Sequence, residues 1–203
     1  LSMQTGRIVA DRLIDVSAEF DFLSSPGELG GHLAIRGVAK MSDGGSMLDV
    51  SGLNVAGTLR GIVNEPTDFN FDARAISVNT AEQSIDAGEL DLMLLGLSMA
   101  AVVEPFSYAD SPQPKAALRV AEFSLKELMQ VLDIAPPVTA DPDALTRVSF
   151  SANVAMTSTA LALSGMTLEL DDATMTGSLS VPTTNTGALV FDLDVDEIGL
   201  DAY

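Results

Sequence analysis

The chain has 203 residues, 47% of them apolar, with a formal charge of −19 from 29 acidic and 10 basic residues. That balance excludes a nucleic-acid binder, because each phosphate contact needs a cation, and a positive mean hydropathy beside the charge excludes disorder. Without Cys there are no disulfides and no thiolate chemistry, and no basic-then-apolar leader or run of 18 apolar residues appears.

From the N-terminus, apolar and polar residues alternate. Leu48, Val50, Leu53, Val55, Leu59 and Val63 lie among Ser, Asn, Thr and Gly, the period-two mark of half-buried strands. Turn chemistry at Gly30-Gly31, Asp43-Gly44-Gly45, Asp86-Ala87-Gly88 and Asn185-Thr186-Gly187 divides the strands. The longest apolar-rich run, Leu90 to Val103, is broken by Asp91, Gly96 and Ser98. Ser124-Leu125-Lys126-Glu127 is a capping box, and Leu125, Leu128, Met129 and Leu132 form one stripe. This predicts one short helix over 124–132, packed by Leu125, Leu128 and Leu132 and ended by Pro136-Pro137. Asp141-Pro142-Asp143 predicts a further turn.

Beyond it, Val148, Phe150, Ala152, Val154 and Met156 face one way, then Leu161, Leu163, Met166, Leu168 and Leu170, then Met175, Leu179 and Val181. In the closing stretch, Leu189, Phe191, Leu193 and Val195 oppose Asp192, Asp194 and Asp196. The expected fold is mainly β: a curved, meandering antiparallel sheet with one short helix, elongated as a single β-rich domain over 1–203. Alternation does not distinguish an open groove, a half-barrel and a sandwich. A weak repeat pairs Phe71-Asp72-Ala73 through Val102 with Phe150-Ser151-Ala152 through Val181. Leu48-Asp49-Val50-Ser51-Gly52-Leu53 also echoes Leu161-Ala162-Leu163-Ser164-Gly165-Met166, so two repeat units of about 1–122 and 123–203 are an alternative division.

Enzyme signals are missing. His32 is the only His, and no Gly-x-Ser-x-Gly elbow, Walker loop or Gly-x-Gly-x-x-Gly occurs. Asp192-x-Asp194-x-Asp196 begins like a calcium loop, but Glu197 and Tyr203 stand where Gly and Glu are required. These acids read as a solvated strand face, and Asp171-Asp172 as a hairpin tip. The Met residues (Met93, Met99, Met129, Met156, Met166, Met175) read mostly as apolar strand or helix positions that fill a core. No cofactor, metal or catalytic residue is expected.

Several segments resemble the C-terminal region of the AsmA family: Phe123 to Leu128, Thr139 to Arg147, Leu168 to Asp172 and Thr176 to Val181, then the closing strand with Leu200, Asp201 and Tyr203 in its Leu-Asp-x-Tyr signature. The match covers roughly the last 40% of the chain; residues 1–122 match in style only, and the family's N-terminal membrane anchor is missing. The abrupt end at Tyr203 reads as a boundary within a longer parent.

The resemblance implies a non-enzymatic envelope protein of Gram-negative bacteria, periplasmic and tethered to the inner membrane upstream, associated with phospholipid transport and outer-membrane assembly. Relatives include TamB and the bridge-like lipid transfer proteins, whose curved sheets carry acyl chains on an apolar face. Partners so implied are phospholipid acyl chains and other envelope assembly proteins. Within the resembling region the in-phase residues Val148, Phe150, Val154, Met156, Leu168, Leu170, Met175, Leu179, Phe191, Leu193 and Val195 are the candidate lipid-binding surface. A β-rich scaffold that touches no lipid and a surface adhesin-like repeat are the alternatives.

Overall fold

The computed structural model describes residues 2–5, 11–24, 29–109, 112–183 and 188–196. Strands account for 65% of the chain and all belong to one antiparallel sheet, not closed into a barrel. In chain order they are β1 (Ser2–Thr5), β2 (Leu13–Leu23), β3 (Gly30–Ser42), β4 (Met47–Arg60), β5 (Thr67–Asn79), β6 (Ser84–Asp86), β7 (Gly88–Leu94), β8 (Leu97–Val103), β9 (Phe106–Ser107), β10 (Lys115–Phe123), β11 (Val148–Met156), β12 (Ala160–Leu170), β13 (Ala173–Pro182) and β14 (Val190–Val195). Neighbours in the sheet follow chain order, the pattern that short hairpins enforce. β6 and β7 pair with β5 in one continuous register, and β8 and β9 pair with them in another, so each couple is a single strand with a break. The sheet is therefore an up-and-down meander.

Two of the turns read from sequence sit elsewhere. Gly30 and Gly31 lie inside β3, opposite Leu23 and Phe22 on one side and Arg60 and Leu59 on the other. A Cβ at Gly31 would stand 2.3 Å from the carbonyl oxygen of Thr58, so glycine is there for close strand approach rather than for reversal. Asp86-Ala87-Gly88 is the break between β6 and β7, with no change of direction. Asp43–Gly45 forms the expected tight turn, as a 3-10 helix. Asn185-Thr186-Gly187 and the Leu200, Asp201, Tyr203 signature lie outside the described residues.

The echo between Ser51-Gly52 and Ser164-Gly165 has a structural cause. Both glycines adopt left-handed φ, +57° and +55°, and both stand at register shifts. Each is a bulge, which bends its strand and increases local twist.

Among the described residues no second layer covers the sheet. The buried apolar ones are Ala73, Ala144, Val148, Ala152 and Ala173, and no large side chain among them is fully enclosed. Total accessible surface is 13053 Å², against about 9,100 Å² for a compact monomer of this mass. The sandwich alternative is thereby excluded; the sheet is open.

The helix α1 spans Leu125–Val131. Ser124 Oγ accepts from the Glu127 amide at 3.2 Å, which is the hydroxyl half of the capping box. Leu125, Leu128 and Met129 are half-buried, but Leu132 is the C-cap and is exposed, so the stripe packs only over its first turns. The helix is too short to carry Leu132 back to the sheet. Ser124→Ala should cost about 1 kcal/mol in a reversible denaturant melt; an unchanged midpoint would mean the cap does not hold the helix.

Candidate functional site: the apolar face

Residues opposite each other in an antiparallel sheet share a face. Following the register across the sheet gives one unbroken row: Ala18, Ile35, Val55, Phe71, Leu92, Met99, Val120, Phe150, Leu168, Met175 and Val195. Every member is apolar. Except for Val195, all are half-buried, sheltered by one another and not by an overlying layer. Beside it runs a second row of Leu53, Ala73, Leu90, Ala101, Leu118 and Ala152. A third passes from Val103 through Ala116, Val154, Leu163 and Leu179 to Phe191. The paired Phe-x-Ala segments of the sequence repeat thus place Phe71 and Phe150 in the first row and Ala73 and Ala152 in the second.

One residue along, the other face is polar: Ser17, Arg36, Asn54, Asp72, Asp91, Ala100, Arg119, Ser151, Thr167, Thr176 and Asp194 lie in register. Cross-strand hydrogen bonds knit it. Asn54 Nδ2 donates to Asn70 Oδ1 (2.7 Å) and Asp72 Oδ1 (2.9 Å), Ser77 Oγ to Asp49 (2.7 Å) and Ser149 Oγ to Glu169 (2.7 Å). His32 Nδ1 lies 3.1 Å from Asp21, its register partner, on this exposed face. Asp192 and Asp194 also point this way, and Asp196 Oδ1 accepts from the Thr174 amide at 2.8 Å, locking the end of β14.

All the residues selected from sequence meet on the apolar face. Val148, Phe150, Val154 and Met156 on β11 stand opposite Leu170, Leu168, Leu163 and Leu161 on β12. Met175 and Leu179 continue the face on β13, and Phe191, Leu193 and Val195 on β14. Val148 is 6% exposed, whereas Met156 on the same strand is 45% and Phe191 on β14 is 63% exposed, so shelter varies along the face. The three residues of β14 are exposed because its far side has no strand among the described residues. The face extends well beyond the selected residues, back through β8, β5 and β3. Sequence reading confined to the C-terminal segment missed Phe71, Leu92 and Met99, although the alternation that marks them is equally plain.

Met93 departs from expectation. It pairs with Ser98 and Asn70 on the polar face and is exposed, because its neighbours Leu92 and Leu94 take the apolar face.

The end of the apolar face near Val148 is organised by Asp171. At the β12–β13 hairpin tip, with φ of +52°, its carboxylate accepts from the amides of Leu145 (2.6 Å), Thr146 (3.2 Å) and Arg147 (3.2 Å). The Leu145 carbonyl accepts in turn from the amides of Leu125 and Lys126. Arg147 pairs with Asp172 at 2.8 Å, a hydrogen bond that raises the guanidinium pKa further above its ordinary value. The connection from α1 to β11 is thereby fastened over this end of the sheet. No family model, curated protein or solved structure matches this chain.

Proposed function

We propose that this chain is a non-enzymatic, lipid-handling segment of a bacterial envelope protein. Phospholipid acyl chains lie along the apolar face, and the acidic polar face meets water. The parent is periplasmic and tethered to the inner membrane, and it serves phospholipid transport and outer-membrane assembly.

One observation carries this reading: the unbroken apolar row on a face with no second layer. Such a surface is costly in water, since each buried methylene group stabilises a contact by about 0.8 kcal/mol. An acyl chain offers many such groups and makes no demand for hydrogen bonds. With strands about 4.8 Å apart, the row runs for about 50 Å, longer than one acyl chain. The polar face, with Asp15, Glu19, Asp21, Asp91 and Asp194, keeps the other side hydrated. The described helix is far too short to cross a membrane, so the lipid contact proposed here is made by the sheet.

Native mass spectrometry of protein purified without detergent tests the proposal. Bound phospholipid, removable by organic extraction, is the expected result. Protein that is lipid-free under the same conditions and takes up none from vesicles would favour the scaffold alternative.

A further inference from the structure

Among the described residues β14 is the last strand of the sheet, and only β13 pairs with it. The register identifies the main-chain groups on its outer edge. Asp196 N donates to Thr174 O at 3.1 Å. The alternation of an antiparallel ladder then turns the main-chain groups of Val190, Asp192 and Asp194 toward β13. The N–H and C=O groups of Phe191, Leu193 and Val195 therefore face away from the sheet. Their side chains are 63%, 44% and 41% exposed on the apolar face, while Asp192 and Asp194 stand exposed on the polar face.

We infer that this edge docks an extended segment of a partner protein whose residues alternate apolar and basic, added to the sheet as a further strand. The inference goes beyond the lipid-handling reading and does not depend on it. Sheet edges are commonly guarded by Lys, Pro or a bulge. Val190–Val195 contains neither residue, and its register with β13 is unbroken. Charge is the guard that remains, and charge selects the partner.

A second copy of the chain fits badly. In a two-fold antiparallel pairing through the outward groups, Asp192 and Asp194 fall opposite each other or opposite themselves. Like charges placed directly opposite are destabilising, and a formal charge of −19 adds to the repulsion. A strand with Lys or Arg at alternate positions instead meets both carboxylates, neither of which has a cation partner among the described residues. Its apolar residues would extend the apolar face beyond Phe191, Leu193 and Val195. In this mode of recognition main-chain hydrogen bonds supply affinity, and exposed charges supply specificity.

The test is binding of a synthetic peptide of alternating lysine and valine, matched to the six residues of β14, to the 203-residue chain. In the free chain, hydrogen exchange should be fast at the amides of Phe191, Leu193 and Val195 and slow at Asp192 and Asp194. The peptide should bind and slow the first three. Asp192→Lys combined with Asp194→Lys should weaken it about tenfold and create binding of a glutamate–valine peptide. Both positions are exposed, so this variant folds. The same change of charge by Asp15→Lys with Glu19→Lys, exposed on β2, should leave binding unchanged. A lysine–valine peptide N-methylated at alternate amides keeps its charges but loses the ladder, and should not bind. Absence of peptide binding, equal losses in the two lysine variants, or undiminished binding of the N-methylated peptide would overturn the inference. Slow exchange at Phe191, Leu193 and Val195 in the free chain would overturn it as well, by assigning the edge to a second copy if the protection falls on dilution and to another part of this chain if it does not.

Discussion

Replacing Asp171 by Ala will destabilise the chain by about 3 kcal/mol. A hydrogen bond to a charged group contributes about 1.5–3 kcal/mol, and this carboxylate accepts three from consecutive backbone amides, at Leu145, Thr146 and Arg147. Their contributions do not add fully, but the loss leaves amides without partners at a half-buried site. Ala also fits the left-handed φ of this position poorly. Asp171→Asn separates the causes. Asn tolerates that conformation and keeps one acceptor oxygen, so it should cost about half as much. A chain of this size should lose roughly 10 °C in melting temperature with Ala. Hydrogen exchange should localise the change to residues 124–147. A neutral Asp171→Ala would show that the connection is held by packing alone.

Charged substitutions on the apolar face should separate folding from lipid binding. At Phe191, 63% exposed on β14, Glu stays hydrated and should shift stability by less than about 0.5 kcal/mol. At Leu168, mid-row between Phe150 and Met175, the carboxylate is half-sheltered and should cost about 1–2 kcal/mol. Both remain inside a total margin of about 5–15 kcal/mol, so both variants should fold. Leu168→Glu should abolish co-purifying phospholipid, because it places a charge across the middle of the row, and Phe191→Glu should reduce it. Cooperative melts read by circular dichroism, with lipid quantified on the same samples, check both. Collapse of Leu168→Glu into aggregate would mean that an unseen layer buries this face.

Much of this architecture is legible in the chain because period-two alternation reports directly which side of a strand avoids water. Val148 through Met156 and Phe191 through Val195 fall on the expected face for that reason, and Ser124 marks the helix start through its own cap. What covers an apolar face is a different matter. A sandwich and an open sheet impose the same alternation on each strand, and only the pairing of every strand with its neighbours in one sheet decides between them. Glycine was ambiguous in the same way. At Gly52 and Gly165 it serves positive φ, at Gly31 close strand approach, and the local sequence looks alike. The Asp171 clamp joins residues about 25 apart through backbone amides, so no side-chain pattern announces it. Leu132 lies outside the packed stripe because the helical pattern extends one residue beyond the helix that displays it.

Acyl chains are proposed to lie against one face of the sheet and not the other. Photo-crosslinking in cells tests this most directly, with a photoreactive residue placed at adjacent positions that point opposite ways: Met99 against Ala100, Phe150 against Ser151, and Met175 against Thr176. Phospholipid adducts at Met99, Phe150 and Met175, with none at their neighbours, are the predicted result. Adducts of equal yield on both faces, or protein adducts in place of lipid at the first set, would contradict it.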